Sequence, residues 1–242
     1  MNFIEGEVLY IDKPLKWTSF DVVNKVRLMF RKHLGIKKIK VGHAGTLDPL
    51  ATGLVIVCTG RSTKKIEQLM NHDKEYIATI KLGQTTPSFD LETEVDNEYA
   101  TAHITRELVE NVINSQFLGE IDQVPPLYSA IRIDGKRAYE HARKGHNDVE
   151  LKSRKINIYD MSIVNYDFPS VTIKINCSKG TYIRSIARDL GKALNSGAHL
   201  TELRRTKVGD ISIEQAITID DVETLVKQEA QQKENLETIN NQ

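Results

Sequence analysis

The sequence predicts an α+β protein in which a mainly antiparallel mixed sheet is flanked by helices. Strand-like and helix-like segments are interspersed without the regular alternation of a parallel α/β fold. Two alternating runs, Ile156 to Tyr166 and Val171 to Cys177, are separated by Phe168-Pro169-Ser170, the arrangement of a hairpin. With 242 residues, 40% hydrophobic and 27% charged, the chain has apolar material for a full core. One large mixed domain is expected.

Glu7 to Ile11 alternates as a short strand that Asp12-Lys13-Pro14 ends, because proline cannot continue a ladder. Thr18 or Ser19 can cap a helix carrying Val22, Val23, Val26, Met29 and Phe30 at helical spacing, with Gly35 as its stop. Gly42 to Gly53, rich in glycine and holding Pro49, reads as an irregular loop, and Leu54 to Thr59 as a buried strand. Lys64 to Met70 forms a short helix. Glu75 to Leu82 alternates, with Tyr76, Ala78, Ile80 and Leu82 on one face. Thr105 caps a helix bearing Leu108, Val109, Val112 and Ile113, and another short helix is expected at about Arg137 to Lys144. After the hairpin, a helix runs from Thr181 through Ile183, Ile186, Ala187, Leu190 and Leu194 to Gly197, and a last helix follows Asp220 and Asp221. The tail QEAQQKENLETINNQ has little apolar surface and is expected to fray.

Several function classes are disfavoured. No apolar run approaches the roughly 20 residues of a membrane span, and the opening MNFIEGEVLYIDK lacks the order of a signal peptide, so a cytoplasmic protein is expected. Cys58 and Cys177 lie in apolar strand-like runs and read as buried free thiols. Lys+Arg and Asp+Glu both number 33, for a formal net charge of +0, but the distribution is uneven. Basic residues concentrate at Arg31 to Lys40, Arg132 to Lys155 and Arg204 to Lys207. The scattered histidines show no ligand spacing, so no metal is expected. Neither GxxxxGK[ST], GxGxxG nor GxSxG occurs.

The stretch GHAGTLDPLATG places a single acidic residue, Asp48, among small residues and before a proline. An aspartate there is either a turn residue bonding its own backbone or a functional carboxylate. Small neighbours allow a bulky substrate close approach, and Pro49 biases Asp48 toward an extended conformation.

GHAGTLDPLATGLVIVCTGRSTK closely resembles the catalytic motif of the TruB-type tRNA pseudouridine synthases. The resemblance continues, in family order, at VLYIDKP (Val8 to Pro14), Lys74-Glu75-Tyr76, VPPLYSA (Val124 to Ala130), CSKGTYIR (Cys177 to Arg184) and from Ala198 to Arg205. It spans roughly residues 6 to 210. It implies a pseudouridine synthase fold with a catalytic domain over 1–218, including an RNA-gripping insertion at about 124–152. The segment 219–242 is then a C-terminal helix and frayed tail, without the RNA-binding PUA domain that many family members carry.

The activity implied is isomerisation of a uridine in the T-loop of tRNA, at position 55, without a cofactor. By family position Asp48 is the nucleophile, Arg184 its charge partner, and Tyr76 the residue that stacks on the target base. His43, Tyr182 and Leu203 match positions that contact the uridine, which must be flipped out of the folded RNA. Lys13, Asp90 and Lys179 fall on supporting or RNA-binding positions. Arg132, Lys136, Arg137, Arg143 and Lys144 lie in the RNA-gripping insertion, where a solvated charged helix is the alternative. A monomer acting alone on the T-arm stem-loop is expected. A guide-dependent synthase within a ribonucleoprotein and an RNA-binding module with idle catalytic residues are the competing readings.

Overall fold

The computed structural model describes residues 2–129, 132–133, 136–137 and 151–240. It divides into two compact units, one formed by Met1–His72 with Arg204–Gln242, the other by Asp73–Leu203.

In the first unit β1 (Val8–Lys13) runs antiparallel to β3 (Ala51–Thr59), from the pair Val8 with Cys58 to the pair Lys13 with Gly53. Between them in sequence lie α1 (Ser19–Leu34) and β2 (Val41–Ala44), whose Val41 and Ala44 pair with Thr59 and Ile56. Thr18 is the N-cap of α1, in a reciprocal capping box with Asp21, and Gly35 ends the helix at φ 66°. A 3-10 turn (Gly60–Lys65) precedes α2 (Ile66–Met70), so the helix expected over Lys64 to Met70 is α-helical only in its second part.

The expected irregular loop is likewise shorter. Its ends are absorbed into β2 and β3, leaving residues 45–50 outside regular structure. Gly42 suits strand β2 because a Cβ there would stand 2.8 Å from the Ile66 side chain.

The core of this unit forms on both faces of β3. Leu54, Ile56 and Cys58 pack with Ala44 and Val208, and Val55 and Val57 on the opposite face are fully buried too. Val22, Val23, Val26, Met29 and Phe30 supply the buried stripe of α1.

In the second unit β4 (Lys74–Leu82) lies antiparallel to β11 (Ser170–Cys177), with Tyr76 opposite Ile175 and Ile80 opposite Val171. The short β5 (Gln84–Thr85) pairs with β6 (Asn97–Glu98). Helix α3 (Arg106–Gln116), capped by Thr105, leads to β7 (Gly119–Gln123). The pairs β8 (Arg132–Ile133) and β9 (Lys136–Arg137) form a separate ladder. Strand β10 (Arg154–Asp167) pairs antiparallel with both β7 and β11, giving the order β4-β11-β10-β7 and the expected hairpin about Phe168-Pro169. The face Tyr76, Ala78, Ile80, Leu82 is buried as the alternation predicts. Helix α4 (Ile183–Ala193) packs on β4 and α3 through Ile183, Ile186, Ala187 and Leu190.

Strand β12 (Ala198–Val208) begins in the second unit, beside β4, and ends in the first, beside β3 and β13 (Ile211–Ser212). Neither β7 nor β12 is evident in the sequence. In β12 the buried positions Leu200, Leu203, Arg205 and Val208 break a period of two, and one of them is an arginine. The last helix, α5 (Ile219–Asn240), packs against α1, where His33 meets Glu223 at 2.9 Å. It extends as far as Asn240, into the tail expected to fray, with pairs Glu223–Lys227 at 3.4 Å and Glu229–Lys233 at 2.9 Å along it. Most of the helix expected at Arg137 to Lys144 falls outside the described residues; Arg137 itself belongs to β9.

Candidate active site

In the first unit the loop between β2 and β3 carries Asp48 half-buried, and its backbone is tied down on several sides. Leu47 is buried, and its N–H donates to the Ser19 hydroxyl at 2.8 Å. The Ala51 N–H donates to the Asp48 carbonyl at 3.1 Å, and the Lys16 N–H to the Pro49 carbonyl at 2.8 Å. Beneath the loop lies Arg205, 1% exposed. Its Nε donates to the Leu54 carbonyl at 2.7 Å, Nη2 to the Gly45 carbonyl at 3.1 Å and Nη1 to the Thr46 carbonyl at 3.5 Å. One guanidinium thus satisfies carbonyls on both sides of Asp48. Gly53 admits this approach, since a Cβ there would lie 2.3 Å from the Arg205 carbonyl oxygen.

Lys13 is fully buried, and its ammonium donates to the carbonyls of Trp17 at 2.6 Å and Pro14 at 3.0 Å. Burial lowers its pKa to about 8; the Asp48 carboxylate opposes that shift and the Arg205 cation adds to it. At neutral pH Lys13 is therefore mostly charged and stabilises an ionised Asp48. His43 on β2 has its pKa lowered, first by burial and then by Arg205, with the Gly45 backbone partly offsetting both. Its imidazole is neutral at pH 7 and suited to hydrogen bonding or stacking rather than to ion pairing.

The second unit presents a different set. Arg184, in the first turn of α4, is buried and donates to the Tyr128 carbonyl at 2.9 Å and the Ser88 carbonyl at 3.4 Å. Its Nε stands 3.5 Å from an Asp90 carboxylate oxygen, both side chains being almost fully buried. Asp90 is held in turn by the Glu92 N–H at 2.9 Å, while its carbonyl accepts from Thr86 at 2.6 Å and Ser88 at 3.2 Å.

Tyr182 caps α4 in an extended conformation. Its N–H donates to the Gln123 side chain at 2.8 Å, and the Gln123 amide donates back to the Tyr182 carbonyl at 3.1 Å. Arg154 lies over the Tyr182 ring at 4.4 Å and also donates to the Gly180 carbonyl. Tyr76 is 8% exposed on the buried face of β4, and Leu203 on β12 is 9% exposed.

The structure therefore gathers Lys13, His43 and Asp48 around Arg205 in one unit and joins Asp90 to Arg184 in the other. Lys179 stands exposed in the turn before Tyr182. Arg132, Lys136 and Arg137 lie on β8 and β9, and Arg143 and Lys144 fall outside the described residues. Ser19, Gln123 and Arg205 are the positioning residues that sequence reading passes over. Arg205 sits within a block of family resemblance, but nothing local marks a charged residue as buried. Among the described residues no group of three or more His, Cys, Asp or Glu is arranged to hold a metal, and no helix is long and apolar enough to cross a membrane.

Comparison with known proteins gives a consistent answer. Residues 31–183 match the model of the TruB family pseudouridylate synthase N-terminal domain, and residues 184–239 match that of the tRNA pseudouridylate synthase B C-terminal domain. The chain is 60% identical to a tRNA pseudouridine synthase B of Phocaeicola vulgatus, over 91% of this chain and 93% of that one. It is 55% identical to the protein of that name from Flavobacterium johnsoniae, over 90% and 95%. Among solved structures it is similar to a Cbf5-Nop10-Gar1 complex, with a TM-score of 0.67 and 28% identity over 92% of this chain and 54% of the matched one. The chain thus spans about half the length of that solved relative. The matched models together with the agreement in fold show that the chain belongs to the TruB family of pseudouridylate synthases.

Proposed function

We propose that this protein isomerises uridine to pseudouridine in the T-loop of tRNA, at position 55, with Asp48 as nucleophile. The observation that carries the proposal is 60% identity, over nearly the whole chain, to a protein named tRNA pseudouridine synthase B. In the reaction the bond from the sugar to the base nitrogen breaks, the base turns, and a carbon of the same base bonds the same sugar. Atoms and electrons balance without a donor or oxidant, so the proposal needs no cofactor and no metal.

The electrostatics of the loop support the role assigned to Asp48. Whether the carboxylate attacks the sugar or assists elimination, it must be ionised beside the ribose. Lys13 favours that form, and the fixed loop backbone removes the entropy of positioning it. The family resemblance, rather than geometry within either unit, supplies Arg184 as the charge partner and Tyr76 as the stacking residue. His43, Tyr182 and Leu203 then contact the flipped base, whose extrusion costs a few kcal/mol that stacking offsets. Arg132, Lys136, Arg137, Arg143, Lys144 and Lys179 track phosphates, with Asp90 supporting Arg184. The protein acts as a monomer in the cytoplasm.

The test uses the purified protein and a bare T-arm stem-loop, with chemical mapping of pseudouridine. The wild type converts the T-loop uridine, and Asp48→Asn abolishes conversion while leaving RNA binding largely intact. Full turnover by the variant would overturn the assignment of Asp48; no conversion by the wild type would overturn the substrate.

A further inference from the structure

We propose a second RNA-binding surface on this chain, a basic groove at the start of β2 that grips the phosphodiester backbone of the same RNA whose uridine is modified. The inference rests on the functional reading above for the identity of its occupant, and on separate residues for the site.

Two adjoining depressions, of about 820 Å³ and 320 Å³, share Ile36, Lys38, Ile39 and Lys40 as common walls. The larger is closed by the C-terminal half of α1, including Arg31, and the smaller by the 3-10 turn with Arg61 and Lys64. The two sides are tied by the Gly60 N–H, which donates to the Lys40 carbonyl at 2.9 Å. Lys37, Lys38, Lys40 and Lys64 are exposed, as are Arg31 and Arg61. No carboxylate lines either depression. Glu5 stands 3.9 Å from Arg61, with both side chains largely in solvent and the pair correspondingly weak.

A chain of formal net charge +0 has thus concentrated cations on one concave surface whose lining holds no carboxylate. Such a surface is matched by a polyanion. Half-buried Ile36 and Ile39 form its floor, so the ammonium groups stand at the rim on aliphatic stems where they reach spaced phosphates. RNA is favoured over an acidic protein because the rim offers cations along an extended segment and the family acts on RNA.

The position fits a remote contact. Lys40 directly precedes β2, and the loop carrying Asp48 directly follows it. At about 3.3 Å per residue the strand separates groove and loop by roughly 13 Å. That is too far for the groove to touch the reacting nucleotide, and near enough for phosphates of the same RNA.

The experiment compares Lys37→Glu/Lys38→Glu with a control of equal charge change, Lys192→Glu/Lys227→Glu, by fluorescence anisotropy with labelled full-length tRNA at several salt concentrations. All four residues are exposed, and thermal melts check the fold. The groove variant is expected to bind about tenfold more weakly at 0.1 M salt, with the slope of log K against log salt reduced by about 1 to 2, while the control changes less than about twofold. In turnover the groove variant shows a raised KM at unchanged kcat. Equal losses in both variants, or unchanged tRNA affinity in the groove variant, would overturn the proposal, the second result pointing to an acidic protein. The binding comparison needs no catalysis, so absence of pseudouridine formation by the wild type would sink the functional reading, whereas loss of the affinity difference between the two variants would sink the groove.

Discussion

The Arg205 guanidinium donates to the Gly45 carbonyl at 3.1 Å, from a side chain that is 1% exposed. It therefore acts on the Asp48 loop from inside the protein. Arg205→Leu would strand the carbonyls of Gly45, Thr46 and Leu54 and is expected to cost about 3 to 5 kcal/mol, measured by urea denaturation. Arg205→Lys keeps the charge but cannot reach three carbonyls at once. It is expected to stay folded and to lose kcat with little change in KM; wild-type kcat would refute a positioning role.

Lys13 gives a pH signature. Its pKa is about 8 when folded, against an ordinary lysine value of 10.5, so between these values the unfolded chain binds more protons. Stability contributed through this group therefore rises with pH from about 8 to 10.5, by at most about 1.4 kcal/mol per pH unit. Below about 8 both states hold the proton and the penalty of burying the charge is present in full. Lys13→Met should abolish that rise in a series of denaturant titrations. It should also move the acidic limb of the kcat/KM profile to higher pH, because Asp48 loses a stabilising cation. An unmoved limb would show that Lys13 does not act on the carboxylate.

Gln123 and Tyr182 clamp α4 to β7 through paired hydrogen bonds of 2.8 and 3.1 Å. Gln123→Ala leaves both Tyr182 backbone groups without that partner, and a loss of about 2 to 3 kcal/mol is expected. Gln123→Glu retains the acceptor and loses the donor, so it should cost less than the alanine variant. A thermal melt that ranks the two in the opposite order would count against the clamp.

Gly53 offers a steric test. Its φ is +105°, and an added Cβ would meet the Arg205 carbonyl oxygen at 2.3 Å. Gly53→Ala is expected to destabilise by more than about 2 kcal/mol and to reduce turnover, because strand and loop must shift together. Near-wild-type stability would mean that β3 and β12 separate easily.

Much of the fold was legible in the sequence, where single elements carry their own signals. Thr18, Gly35 and Thr105 mark helix ends by local backbone chemistry, and the face of Tyr76, Ala78, Ile80 and Leu82 reads directly as a strand packed on one side. Strand β12 was hidden because Arg205 occupies a core position, and its burial depends on carbonyls brought in from residues 45, 46 and 54. The site divides similarly. Asp48 stands out in the sequence as an isolated acid in a small-residue loop, and the companions proposed for it come from the family blocks alone. Lys13 was visible only as a supporting position, since the depression of its pKa arises from burial that no local pattern encodes. Gln123 carries no sequence signal, because a side chain that bonds backbone can be almost any polar residue.

The bond from the Leu47 amide to the buried Ser19 hydroxyl has a consequence for timescale. Loop amides ordinarily exchange with solvent deuterium through small, frequent openings. This one is released only when α1 parts from the loop, so its exchange should keep pace with the core strands rather than with its neighbours at the surface. A segment irregular in shape would then be, in its kinetics, a member of the slowest-opening part of the molecule, and RNA would arrive at a carboxylate whose support was already set.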